Sequence, residues 1–226
     1  MIQYYLINNE HQVIKNISQN IIKLLKQNHS VLWLLSGGSN INLEVAIMDQ
    51  IPTNLTTKLT VSLIDERYVN FNHVDSNFYQ LLKANFQSKK ATMISILDPN
   101  NLSLEKTVQN FKKAIQPIAK QSKIIAQIGL GLDGHIAGIL PNSPAIESST
   151  TISAYQSQPF TRITFNLKTF NNFDQINLVA LDKAKKNIIK KLYQSNSQNI
   201  VDFPVSYLNE LNQVFIYNKW KGINIA

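Results

Sequence analysis

Residues Lys123 to Pro141 read KIIAQIGLGLDGHIAGILP, an isoleucine-rich run that gives way to a glycine-rich segment carrying a histidine. A short apolar run rich in β-branched residues and bounded by glycine predicts a buried strand, here "KIIAQIGL" at 123–130, that ends in a loop. Four of the seven glycines lie in Ile128–Pro141. The usual share of about 7% would scatter roughly 16 along a chain of this length. Two more, Gly37 and Gly38, stand together in "LLSGGSN", also directly after an apolar run. Glycine is concentrated in two loops, each at the end of a predicted strand.

The same strand-then-polar pattern repeats outward from this stretch. Further strands are predicted at "YYLIN" near the start and at 31–36, 58–65, 92–97, 162–167, 176–181 and 213–218. Helices are predicted over 10–28, 39–50, 76–87, 103–120 and 183–194. In the first of these, Val13, Ile14, Ile17, Ile21, Leu24 and Leu25 recur at helical spacing. Strands alternating with helices predict an α/β fold, a Rossmann-like three-layer α/β/α arrangement with a largely parallel central sheet. No proline- or serine-rich linker, internal repeat or shift in composition interrupts the pattern, so residues 1–226 are expected to form a single domain.

Bulk composition narrows the function classes. The chain has 226 residues, 44% hydrophobic and 16% charged, as in ordinary globular proteins. It has no cysteine, which excludes disulfides and cysteine-ligated metal sites; neither a metal nor a cofactor is expected. No apolar run approaches the ~20 residues of a membrane span, and the start lacks the basic and apolar regions of a signal peptide. A cytoplasmic protein without a membrane partner is expected. The net charge of +8 is scattered, and its densest group, "DKAKKNIIKKL", has helical spacing without interleaved aromatics, so no nucleic-acid partner is expected. Of the 22 cationic residues, only Arg67 and Arg162 are arginine. Where lysine serves everywhere else, these two are candidates for sites that need a planar fork for phosphate or carboxylate.

Four polar clusters follow predicted strands, where ligands bind in open α/β sheets. Ser36, Gly37, Gly38 and Ser39 suit either a tight strand-to-helix turn or a phosphate cradle of backbone N–H groups. Asp65, Glu66 and Arg67 suit either a solvated charge cluster or the lining of a cleft. Asp133, Gly134 and His135 place a side chain able to exchange protons near neutrality on a turn with open amides, the arrangement of a general base beside an oxyanion site. Lys183, after "INLVALD", and Arg162, at the start of "RITFNL", are further anion ligands, Lys183 being otherwise one surface lysine among many. Gly129, Gly131 and Gly134 match dinucleotide-site spacing, but Asp133 and His135 would crowd a pyrophosphate, so no nicotinamide cofactor is expected. No Gly-Lys-Ser/Thr ending makes the first loop a P-loop.

Together these segments resemble the 6-phosphogluconolactonases, within the glucosamine-6-phosphate isomerase/6-phosphogluconolactonase superfamily. "LLSGGS" is similar to the phosphate loop, "IDERYVNFNHVDSNF" to the Asp-Glu-Arg and Asp-Ser-Asn segments, and "GLGLDGHIAGILP" to the Gly-x-Gly-x-Asp-Gly-His-x-Ala-Ser-x-x-Pro signature. "RITFNL" and "LDKAKK" match the later basic positions. Asn70, Gly138 and Asp182 depart from the family's usual Pro, Ser and Gly. The resemblance implies hydrolysis of a sugar-phosphate lactone by a monomer or weak homodimer. It assigns His135 as general base, with Arg67, Asp133 and Asp65 beside it, and Ser36, Gly37, Gly38, Ser39, Arg162 and Lys183 on the phosphate. Two other readings are an aminosugar-phosphate isomerase and a non-catalytic sugar-phosphate sensor. The isomerases carry Glu where this chain has Leu140 and Tyr where it has Arg67. A sensor has no need of His135.

Overall fold

The computed structural model describes residues 2–194 and 199–220. In chain order its elements are β1 (Ile2–Leu6), α1 (Glu10–Lys26), β2 (Val31–Leu35), α2 (Ile41–Gln50), β3 (Leu59–Leu63), β4 (Asp65–Arg67), α3 (Asn77–Lys83) and β5 (Thr92–Ile94). There follow α4 (Leu104–Gln121), β6 (Lys123–Ile128), β7 (Ile152–Gln156), β8 (Thr161–Phe165), β9 (Gln175–Ala180), α5 (Lys186–Gln194) and β10 (Val214–Asn218).

Seven strands form one parallel sheet in the order β1-β10-β9-β6-β2-β3-β5. Strand β2, inside the sheet between β6 and β3, is buried at every position, as expected for a parallel sheet covered on both faces. Helix α1 starts where Asn9 accepts the Gln12 N–H on its side chain, and it turns Val13, Ile17, Ile21 and Leu25 inward. From β2 the chain winds outward through β3 to β5; from the adjacent β6 it goes the other way through β9 to β10. The crevice between the carboxyl ends of β2 and β6 is therefore the topological switch point, the place where such sheets bind ligands.

A second sheet, antiparallel and ordered β4-β8-β7, stands beside the first. The expected strand at 58–65 is divided here: β3 stops at Leu63, and after Ile64 the chain enters β4 in the other sheet. Ile64 is fully buried, donates its N–H to Leu35 O (2.8 Å) and accepts from Phe165 N–H (3.2 Å). Strand β7, "ISAYQ", lacks the continuous apolar run that marks the buried strands. The expected helix at 183–194 opens as a 3₁₀ turn over Lys183–Lys185 before α5 begins. Among the described residues no helix is long and apolar enough to cross a membrane.

Candidate active site

A cleft of about 330 Å³ opens at the switch point, between the loops after β2 and β6 and the edge of β4–β8. Ser36, Gly37, Gly38 and Ser39 line it from the first loop. Gly37 has φ +69°, and a Cβ there would lie 2.7 Å from Asn77 Cγ, so the turn requires glycine twice over. Ser36 does not offer its donors to the cleft. Its N–H and its hydroxyl both donate to Oε1 of Glu44 on α2, at 2.8 and 2.9 Å. The amides left for a ligand are those of Gly38 and Ser39, which open the 3₁₀ turn Gly38–Asn40 and so lack partners within it. Burial pushes Glu44 up to about 7, against the opposing hydrogen bonds from Ser36.

The loop after β6 presents His135. Gly131 N–H donates to His135 O (2.9 Å) and Gly134 N–H to Gly131 O (3.2 Å), closing a tight turn. A Cβ on Gly131 would fall 2.1 Å from His135 Nδ1; glycine here makes room for the ring. Asp133 Oδ1 bonds His135 Nδ1 at 2.7 Å and accepts the His135 backbone N–H at 3.1 Å. The side-chain bond from His135, foremost, holds the Asp133 carboxyl down at about 2. An ionised carboxylate can only accept, so Nδ1 carries the hydrogen and the neutral ring keeps its lone pair on Nε2. Asp133 is thus not a cleft wall but the partner that fixes the tautomer of one.

The third wall is β4–β8. The register sets Arg67 directly opposite Arg162, and like charges so placed cost stability. Such a pair has the chemistry of an anion site. Arg67 Nη1 donates to Asp75 O (2.8 Å), and its buried Nε has no partner among the described residues. Arg162 Nε donates to Ser157 Oγ (3.2 Å), and its Nη1 lies 3.9 Å from Asp65 Oδ2. Burial pushes the Asp65 carboxyl up, opposed by Arg162, then Arg67 and His135. A Cβ on Gly138 would meet Asp65 Oδ2 at 2.5 Å, so the usual serine of that position has no room here.

The Asp-Glu-Arg triplet is not a solvated cluster. Strand alternation sends Asp65 and Arg67 to the cleft and Glu66 inward. Glu66 accepts from Asn77 N–H (2.7 Å), Arg67 N–H (2.8 Å), Phe78 N–H (2.9 Å) and Ser76 Oγ (2.9 Å). It fastens the start of α3 to β4.

One assignment moves. Lys183 is exposed and does not line the cleft; Lys185 does. Asp182 caps the turn, accepting Ala184 N–H on its side chain (2.9 Å) and Lys185 N–H on its carbonyl (2.9 Å). At three residues per turn, positions two apart face about 120° apart, so Lys185 turns to the cleft while Lys183 stays exposed. Asn77 and Glu44 were also not foreseen as site residues. Asn77 lies within the quoted Asp-Ser-Asn segment, whereas Glu44 at a helical position reads as solvent face.

The chain matches, over residues 8–216, the family model described as glucosamine-6-phosphate isomerases/6-phosphogluconolactonase. It is 30% identical over 187 residues to a probable 6-phosphogluconolactonase 1 of Arabidopsis thaliana, an alignment covering 73% of this chain and 69% of that protein. Its fold matches the crystal structure of 6-phosphogluconolactonase from Thermotoga maritima with a TM-score of 0.80, at 20% identity, over 97% of this chain and 99% of that one. A monomeric glucosamine-6-phosphate deaminase matches with a TM-score of 0.73, at 19% identity, over 96% of each chain. Both branches of the family share this architecture. The chain belongs to the glucosamine-6-phosphate isomerase/6-phosphogluconolactonase family.

Proposed function

We propose that the protein hydrolyses 6-phospho-D-glucono-1,5-lactone to 6-phospho-D-gluconate, the second step of the oxidative pentose phosphate pathway. It would do so in the cytoplasm, as a monomer or weak homodimer and without a cofactor. The observation that carries this reading is that His135, paired with Asp133, shares one cleft with the Gly38 and Ser39 turn and with Arg67 and Arg162. The phosphate rests on the amides of Gly38 and Ser39, with Ser39, Arg162 and Lys185 around it. The lactone then lies against His135, whose Nε2 takes a proton from water as the water oxygen bonds to the carbonyl carbon. Asp133 steadies the imidazolium so formed. Arg67 meets the negative charge on the carbonyl oxygen, and Asp65 accepts a sugar hydroxyl. When the bond from the carbonyl carbon to the ring oxygen breaks, the imidazolium returns its proton to that oxygen.

Position 140 supports the lactonase over the isomerase. Leu140 packs against the core and donates its N–H to Tyr155 Oη (3.2 Å), leaving no carboxyl where the isomerases carry Glu. The test is a coupled assay that follows lactone loss above its spontaneous hydrolysis, with and without the 6-phosphate. Remote binding positions the lactone, so its loss should lower kcat/KM by about 10²–10⁴. That follows from a loss of ~3–6 kcal/mol at about 1.5–3 kcal/mol per charged hydrogen bond. Comparable kcat/KM for the two lactones, or turnover of glucosamine 6-phosphate instead, overturns the reading.

A further inference from the structure

Glu44 lies directly beneath the loop that receives the phosphate, and nothing in the hydrolysis uses it. It is fully buried. Its Oε1 takes both donors of Ser36, and Asn40 Nδ2 in turn donates to Ser36 Oγ (3.0 Å). Its Oε2 is buried without a partner among the described residues. An ionised carboxyl with one bare oxygen in an apolar interior is costly, and a proton on that oxygen removes the charge. On its other side Ser36 lines the cleft. One residue therefore separates a buried carboxyl from a bound dianion.

Among the described residues, the neighbouring elements offer Glu44 no counter-charge. The buried residues of α1 and α3 are apolar or uncharged. Strand β4 brings Asp65, whose charge adds to the push on Glu44. The cations Arg67, Arg162 and Lys185, with His135, lie on the cleft side, where they serve the ligand. When an anion arrives, Glu44 is the member of the pair that can shed its charge.

We infer that Glu44 is a positioning residue that takes up a proton as the cleft takes up its anion. The inference rests on the anion site assigned above. Free Glu44 stands at about 7 through burial, so near neutral pH the uptake is a fraction of a proton per anion. The bound state favours the protonated form, and anion affinity must then fall as pH rises, by about tenfold between pH 6 and pH 8.

Sulfate is a suitable probe because it stays a dianion across this range. His135 also lines the cleft, so the comparison is made in His135→Gln protein with and without Glu44→Gln. Calorimetry of sulfate binding in two buffers of different protonation enthalpy gives the protons taken up. The expected result is about half a proton at pH 7 with Glu44 and close to none with Gln, together with loss of the pH slope in affinity. Equal uptake and slope in the two proteins overturn the inference, leaving Glu44 a structural buttress. Should Glu44→Gln fail to fold, Ser36→Ala removes one hydrogen bond that favours the charged form and must move the midpoint of the affinity profile upward. An unmoved midpoint overturns the inference as well. No sulfate binding at any pH overturns the anion site itself, and the inference with it.

Discussion

The loops after β2 and β6 line the cleft with main-chain amides and one imidazole, whereas β4 and β8 line it with two guanidiniums held in cross-strand register. The difference follows from what each wall must do. A loop that brings backbone to within contact of a phosphate, or a ring to within contact of its own turn, needs residues without a Cβ, and glycine is spent there. Two like charges kept side by side need a rigid ladder instead, and an antiparallel strand pair supplies it. The loops are shaped for chemistry, and the strands for charge.

The largest effect should come from the loop wall. His135→Ala should lower kcat by about 10²–10⁴, the share of a general base, with an unfolding midpoint close to the parent's. Native turnover by this variant would remove the distinction between the walls. Next comes the anchor behind the strand wall. Glu66→Ala strips three backbone N–H groups and a hydroxyl of their acceptor, a loss of about 3–5 kcal/mol in denaturant unfolding. The same group carries a pH signature. Burial raises Glu44 and Glu66 each to about 7 in the fold from an ordinary 4.5, so the folded state holds more protons than the unfolded one between those values. Their contribution to stability is therefore lost as pH rises from about 4.5 to 7. The double variant with Gln at both positions should flatten that slope; an unchanged slope would mean both are ionised in the fold.

The arginines give the sharper test of the strand wall. Arg162→Lys should raise KM and Arg67→Lys should lower kcat, each by about tenfold, because a point charge poorly replaces a planar fork. Purely KM effects from both would put Arg67 on the phosphate and merge the two roles. The smallest effect separates two lysines. Lys185→Ala should raise KM a few-fold, on the order of one solvent-screened charged contact, and Lys183→Ala should leave it within about twofold. The reverse outcome would return the phosphate contact to Lys183.

The loop wall was legible in the sequence because glycine is scarce in this chain, and its clustering marks close backbone approach. That clustering points to Ser36 to Ser39 and His135, all of which line the cleft. The strand wall was legible only through its chemistry: the scarcity of arginine marked Arg67 and Arg162, but not that they face each other. That pairing depends on which sheet β4 joins, and a three-residue strand carries too little periodicity to say. Lys185 rather than Lys183 lines the cleft; with lysines at 183, 185 and 186, composition does not say which one turns inward. Glu44 was invisible because its burial depends on where the loop above it folds.

Ile64 links the two walls in a way that bears on how the molecule comes apart. This single residue is all that separates β3 from β4, and its peptide groups bond Leu35 on one side and Phe165 on the other. Movement of β4 away from β3 at that joint pulls on a residue bonded into both sheets. Partial opening that leaves the parallel sheet intact and frees the small one is therefore disfavoured, and the amides of β4 and β8 should exchange with solvent as slowly as those of β2. Exchange at β4 much faster than at β2 would show that the arginine pair opens independently of the core.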